Sequence, residues 1–192
     1  PRIMLRQKLK GEVERLEKRA YMHDAGRADS ERRYQTLKYD VREMERIAKK
    51  LDTDIDAAKP LLEKGKFSIT IDGKEFSERQ PADAAIKSFV DGMNMYHGGH
   101  KLGNIGPFQI TLDVRGGSLY GTIEGPGGLT YEVRPSVASI EATLRNLQNR
   151  ADHYGKEIAD KKRSIPRLLD AARAPFQRAD VLAQKKKLLQ QL

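Results

Sequence analysis

His97 and His100 flank Gly98-Gly99, a spacing at which two imidazoles can reach one metal ion. No carboxylate stands beside them and the chain has no Cys, so the ligand set is incomplete and a solvated glycine-rich loop is the simpler reading. That loop runs on through Gly103-Asn104-Ile105-Gly106, whose backbone amides would hold a phosphate only if several pointed the same way. Gly125-Pro126-Gly127-Gly128 has the glycine content of a phosphate cradle but lacks a following Lys-Ser/Thr and a helix behind it, so it reads as a hairpin turn. His23 and His153 fall in helical stretches. No Ser-His-Asp set, Gly-x-Ser-x-Gly motif or convergent pair of carboxylates is present, and no catalytic residue, metal ligand or cofactor is expected in this segment.

Charge is the stronger signal. The chain holds 36 Lys+Arg against 27 Asp+Glu, a net charge of +9. Residues 1–60 carry 16 basic and 12 acidic side chains, residues 61–134 carry 8 and 9, and residues 135–192 carry 12 and 6, so the excess lies in the two flanks. Lys161-Lys162-Arg163 with Arg167, and Lys185-Lys186-Lys187, are its densest clusters. A charge run on a long helix is often only a solvated face, but an excess of this size suits a phosphate backbone, bound without regard to sequence and weakened by salt. The candidate nucleic-acid contacts are Lys161, Lys162, Arg163 and Arg167 on the second flank, with Lys101 and Arg115 on expected loops of the middle segment.

The elements that must position these residues follow from periodicity. In the first flank Leu9, Val13, Leu16, Ala20, His23, Arg27, Ser30, Tyr34, Leu37, Val41, Met44, Ala48, Leu51 and Ile55 are separated by steps of three and four, a heptad seam among charged neighbours. Val137, Ile140, Leu144, Leu147, Ala151, Tyr154, Ile158, Lys161, Ile165, Leu168 and Ala172 repeat the pattern in the second. Pro60 ends the first arm, and Pro135 with Ser136 as N-cap opens the other. Such narrow stripes need cover, so the expected architecture is α+β: a long antiparallel coiled-coil hairpin carrying a small sheet domain at its tip. Arms starting together beside the insert give partner numbers that sum to about 190, within a heptad. That register sets Gly26 near Pro166 and predicts a bend or local break there, unless residues 24–30 form a true turn and the first arm is two helices. The expected division is a first arm over 1–60, an inserted domain over 61–134, a second arm over 135–174, and, after Pro175, a terminal helix over 175–192 packing elsewhere.

The insert reads as ββαβββ. Residues 67–71 alternate apolar and polar, Asp72-Gly73 turns, and 74–76 return; Pro81 opens a short helix with Ala82, Ala85, Ile86, Phe89, Val90 and Met93 on one face. Residues 108–114, 119–123 and 129–133 supply three more antiparallel strands, with 97–106 as loop.

An apolar fraction of 38% with a third of positions charged, and no run of the roughly 20 apolar residues a membrane span needs, predicts a protein with no membrane segment. The absence of Cys excludes disulfides and fits a reducing, cytoplasmic setting. The start at Pro1 and the helical pattern running to Leu192 suggest a piece of something longer.

The succession Phe67-Ser-Ile-Thr-Ile-Asp-Gly-Lys-Glu-Phe76, then Gly103-Asn-Ile-Gly-Pro-Phe108 leading into Ile110-Thr-Leu, then Tyr131-Glu-Val133 before Ser139-Ile140-Glu, resembles a region of very large SNF2-like helicase/N6-adenine DNA methyltransferase proteins of bacterial mobile elements and phages. The likeness spans residues 60–180, and none of that family's nucleotide-binding or methylase motifs occurs here. The resemblance implies a non-catalytic accessory module, flanked by coiled coil, beside the helicase or methyltransferase domains of a parent chain, with DNA as partner. The alternatives are a protein-interaction or homodimerisation module whose arm charge serves solubility, and a free-standing enzyme using His97 and His100.

Overall fold

The computed structural model describes residues 2–93 and 98–192. Its chain falls into two units, one of Pro1–Arg42 with Ala159–Leu192 and one of Glu43–Ile158. Helix α1 (Arg2–Ala58) contributes to both, stopping where Pro60 removes the next backbone donor. Every seam position of α1 is buried or half-buried, while most of its other positions are exposed. This is the burial a heptad pattern demands.

In the helical unit α1 meets the second half of α4 (Leu147–Arg173) and helix α5 (Ala179–Gln191). Asp40 pairs with Lys161 at 3.9 Å, Arg27 Nε donates to the Ala172 carbonyl at 2.9 Å, His23 Nε2 donates to the Ala174 carbonyl at 2.9 Å, and Glu12 pairs with Lys185. Partner numbers fall on one segment as they rise on the other and sum to about 200, roughly ten beyond the expected register. The shift explains why the seam turns polar at His23 and Arg27: they reach the closing carbonyls of α4, which have no partner inside the helix and favour a positive neighbour.

Gly26 therefore does not face Pro166. Neither helix breaks: α1 is continuous through 24–30, and α4 through Pro166. Gly and Pro cost about 1 and 3 kcal/mol inside a helix, and burial of Val13, Leu16, Val41 and Ala172 along the unit offsets them. Nor does the terminal helix pack elsewhere. Glu12–Lys185 and Glu17–Lys186, the latter at 2.7 Å, hold α5 against α1. The Glu12 carboxyl lies below its usual pKa because Lys185 donates to it, so this contact is present above about pH 4.5 and is lost as acid protonates the carboxylate.

The second unit is built on one antiparallel sheet in the order β2-β1-β3-β4-β5-β6. Its strands are β1 (Ile69–Ile71), β2 (Lys74–Phe76), β3 (Gly99–Ile105), β4 (Phe108–Arg115), β5 (Ser118–Glu124) and β6 (Thr130–Val133). Asp72 and Gly73, both at positive φ, make the β1–β2 turn expected of Asp-Gly. Ile69, Ile71, Leu102, Ile105, Phe108, Ile110, Leu112 and Ile123 face inward with at most 2% exposure. Helix α2 (Arg79–Asp91) adds Ala82 and Ile86 to this core, the end of α1 adds Leu51, Ile55 and Ala58, and α3 (Val137–Arg145) adds Val137, Ile140 and Leu144. Ser136 caps α3 by accepting from Ser139 N at 3.2 Å, and Asp83 of α2 accepts from Val137 N at 2.8 Å. The second flank is not one helix, because Asn146 separates α3 from α4.

The order is thus ββαββββ, with β3 where a loop was expected. The reason is a bulge: between Lys101 and Gly103 the register to β4 shifts, so the inward residues Leu102 and Ile105 are three apart and the two-residue alternation that marks a strand is lost. Gly103 lies so close to β1 that a Cβ there would overlap the Thr70 carbonyl oxygen. Gly103→Ala is expected to destabilise the sheet unit by about 1–3 kcal/mol, read from the urea unfolding midpoint, whereas Gly155→Ala, inside α4 with open space around it, is expected to cost nothing.

Candidate nucleic-acid interface

The residues of the helical unit include 21 Lys+Arg against 10 Asp+Glu, a net +11, while those of the sheet unit include 15 against 17, a net −2. The whole positive excess of the chain therefore sits on the helices of one unit.

Within that unit α4 presents the four expected residues of the second flank. Lys161 is half-buried at the seam and paired with Asp40. Lys162 is exposed, and Arg163 is exposed and paired with Asp160 one turn earlier. Arg167 forms one wall of a groove of about 620 Å³ between α1 and α4. Arg32, Arg33 and Thr36 of α1 stand across it, Ser164 lies beside Arg167, and the apolar stems of Leu37 and Leu168 line it. Arg33 pairs with Asp29 at 2.9 Å. Among the described residues neither Arg32 nor Arg167 has an acidic partner. Arg32 and Arg33 were not among the sequence candidates: in the sequence they are two charges on an arm, and only the pairing of α1 with α4 brings them to Arg167. In the terminal cluster, Lys185 and Lys186 are taken up by Glu12 and Glu17, leaving Lys187 exposed.

The two candidates of the sheet unit stand in a different field. Lys101 lies in β3, not in a loop, opposite Thr111. Arg115, at the end of β4, is paired with Asp113 at 2.6 Å and lies over the Tyr120 ring. Both belong to the open face of the sheet, where alternation also sets Glu75, Glu124 and Glu132. Four carboxylates against two cations make that face a poor neighbour for phosphate.

The glycine loops resolve into structural roles. Residues 125–128 turn between β5 and β6, as expected, and lie against α1 at Asp54, which is fully buried. Asp54 Oδ1 accepts from Gly127 N at 2.7 Å and Oδ2 from the Tyr131 hydroxyl at 2.5 Å. A Cβ at Gly125 would overlap that carboxylate, and one at Gly127 would overlap the Lys50 carbonyl. Burial first, and then the hydrogen bond to Asp54, push the Tyr131 phenol above its usual pKa, so it stays a donor. Asp54 escaped the sequence reading because a lone acid between Leu51 and Ile55 looks like surface. Glu141, also buried, is held by Arg79 at 2.8 Å and Arg145 at 2.9 Å. His100 lies in β3 opposite Leu112, and His97 lies outside the described residues. Among the described residues no three His, Cys, Asp or Glu side chains gather to hold a metal ion, and no helix is long and apolar enough to cross a membrane.

No known protein family, curated protein or solved structure matches the chain. Asp54→Ala is expected to cost the sheet unit about 2–4 kcal/mol by urea titration, since it strands the Gly127 amide and the Tyr131 hydroxyl. A cost under about 0.5 kcal/mol would show that the loop is held by other contacts.

Proposed function

We propose that this chain is a non-catalytic accessory module of a large, cytoplasmic DNA helicase/methyltransferase and that it contacts the DNA backbone through its helical unit. In this reading the flanks form an antiparallel coiled-coil hairpin with the small sheet domain at its tip, spacing that domain from the catalytic domains of the parent chain. One observation carries the proposal: a net +11 on the helical unit against −2 on the sheet unit. Charge spread only for solubility has no reason to avoid the sheet unit, whereas a phosphate track needs its cations on one surface. Lys161, Lys162, Arg163 and Arg167 are the proposed contacts of α4. Lys101 and Arg115, among the carboxylates of the sheet, would add little.

A second reading has its own support. The open sheet face leans acidic, which would complement a basic protein surface, and on that reading the module binds a protein partner or a second copy with no DNA contact.

Fluorescence anisotropy with a 20-base-pair duplex over a salt series separates them. The proposal expects binding that weakens linearly in log–log form as salt rises, and a loss of at least about tenfold on combined Lys161→Glu, Lys162→Glu and Arg163→Glu substitution. Absence of binding at about 50 mM salt contradicts it.

A further inference from the structure

The groove between α1 and α4 brings together three guanidinium groups and two hydroxyls that no local motif announces: Arg32, Arg33 and Thr36 from one helix, Ser164 and Arg167 from the other. Two carboxylates share it. Asp29 holds Arg33, and Asp40 holds Lys161. Arg32 and Arg167 are exposed, and among the described residues no acid neutralises them. The groove thus holds a free pair of arginines, a third arginine already occupied by Asp29, and a second carboxylate, Asp40, paired with Lys161 just outside the lining.

We infer that this groove seats a backbone phosphate of the bound nucleic acid, with Arg32 and Arg167 making the first contact and Asp29 and Asp40 acting as built-in competitors that the phosphate displaces from Arg33 and Lys161. The inference rests on the reading of the helical unit as a polyanion surface and adds which residues form the seat and what limits its affinity. The chemistry favours the exchange. A phosphate carries several acceptor oxygens and can take bidentate donation from guanidinium groups approaching from both helices, whereas each aspartate serves one cation on an exposed surface, where such pairs are weak. Thr36 lines the groove with a neutral hydroxyl of the kind that fixes phosphate position, while the Ser164 hydroxyl is occupied by the Asp160 carbonyl at 3.3 Å. The groove belongs to the paired helices, so neither flank alone would make it.

The test uses the full chain and a 20-base-pair DNA duplex, read by anisotropy over a salt series. Arg32→Gln with Arg167→Gln is expected to weaken binding about tenfold and to lower the salt slope by about one to two units. Asp29→Asn with Asp40→Asn is expected to tighten binding severalfold and steepen the slope, a gain that misfolding cannot imitate. Asp170→Asn with Asp180→Asn changes net charge equally on exposed positions outside the groove and serves as control. Duplex binding that ignores both groove variants, or that tightens as much with the control as with Asp29→Asn and Asp40→Asn, overturns the groove while leaving the polyanion surface standing. No duplex binding by the unmodified chain overturns both.

Discussion

A narrow apolar stripe on a long charged helix cannot be left open to water, and the structure is organised around covering it. Between Leu9 and Ile55 every three-and-four position of α1 is withdrawn from solvent. Each residue of that stripe contributes modestly, since half-buried seam positions remove only part of their apolar area from water. Periodicity makes the effect cumulative: a partner segment that covers one turn is in phase to cover the next. The same stripe serves two kinds of partner. In the helical unit it meets other helices, and in the sheet unit Leu51, Ile55 and Ala58 join a core built by strands.

Polar groups inside these contacts mark the places where regular structure ends. His23 and Arg27 interrupt the stripe where α4 runs out of internal hydrogen-bond donors, and Asp54 lies beside it where a glycine loop presents an amide and Tyr131 a hydroxyl. Removing any of these side chains would leave its partners unsatisfied, which is costlier than never having placed a polar group there. The charge pattern follows from the same division of labour. A helix with one apolar stripe has most of its circumference free for charge, while a sheet unit with a buried inner face has only its outer face, and that face balances its few cations with carboxylates.

What could be read from the sequence was periodic, and what could not was aperiodic or distant. The seams of both flanks, the Asp72-Gly73 and Gly125–Gly128 turns, the Ser136 cap and the α+β class all rest on spacings of a few residues. Strand β3 was hidden because the bulge before Gly103 displaces Leu102 and Ile105 from alternation. The register lies about ten beyond the expected sum because Val137, Ile140 and Leu144 are claimed by the sheet core, so pairing in the helical unit is not anchored at the first residue after the insert. Arg32 and Arg33 gained meaning only once that register placed them beside Arg167. Asp54 needed knowledge of which loop would come to lie on it.

The pairing of α1 with α4 and α5 can be measured directly, because a chain without Cys accepts spin labels at chosen sites without background. Pulsed dipolar distances would be recorded between labels introduced by Lys38→Cys with Arg163→Cys, Lys10→Cys with Lys187→Cys, and Lys10→Cys with Arg163→Cys. The account predicts narrow, short distances for the first two pairs and one longer by roughly 40 Å for the third, the rise of 28 residues of α1. A short distance for the third pair, or long ones for the first two, would contradict the opposed register on which the groove and the charged surface rest.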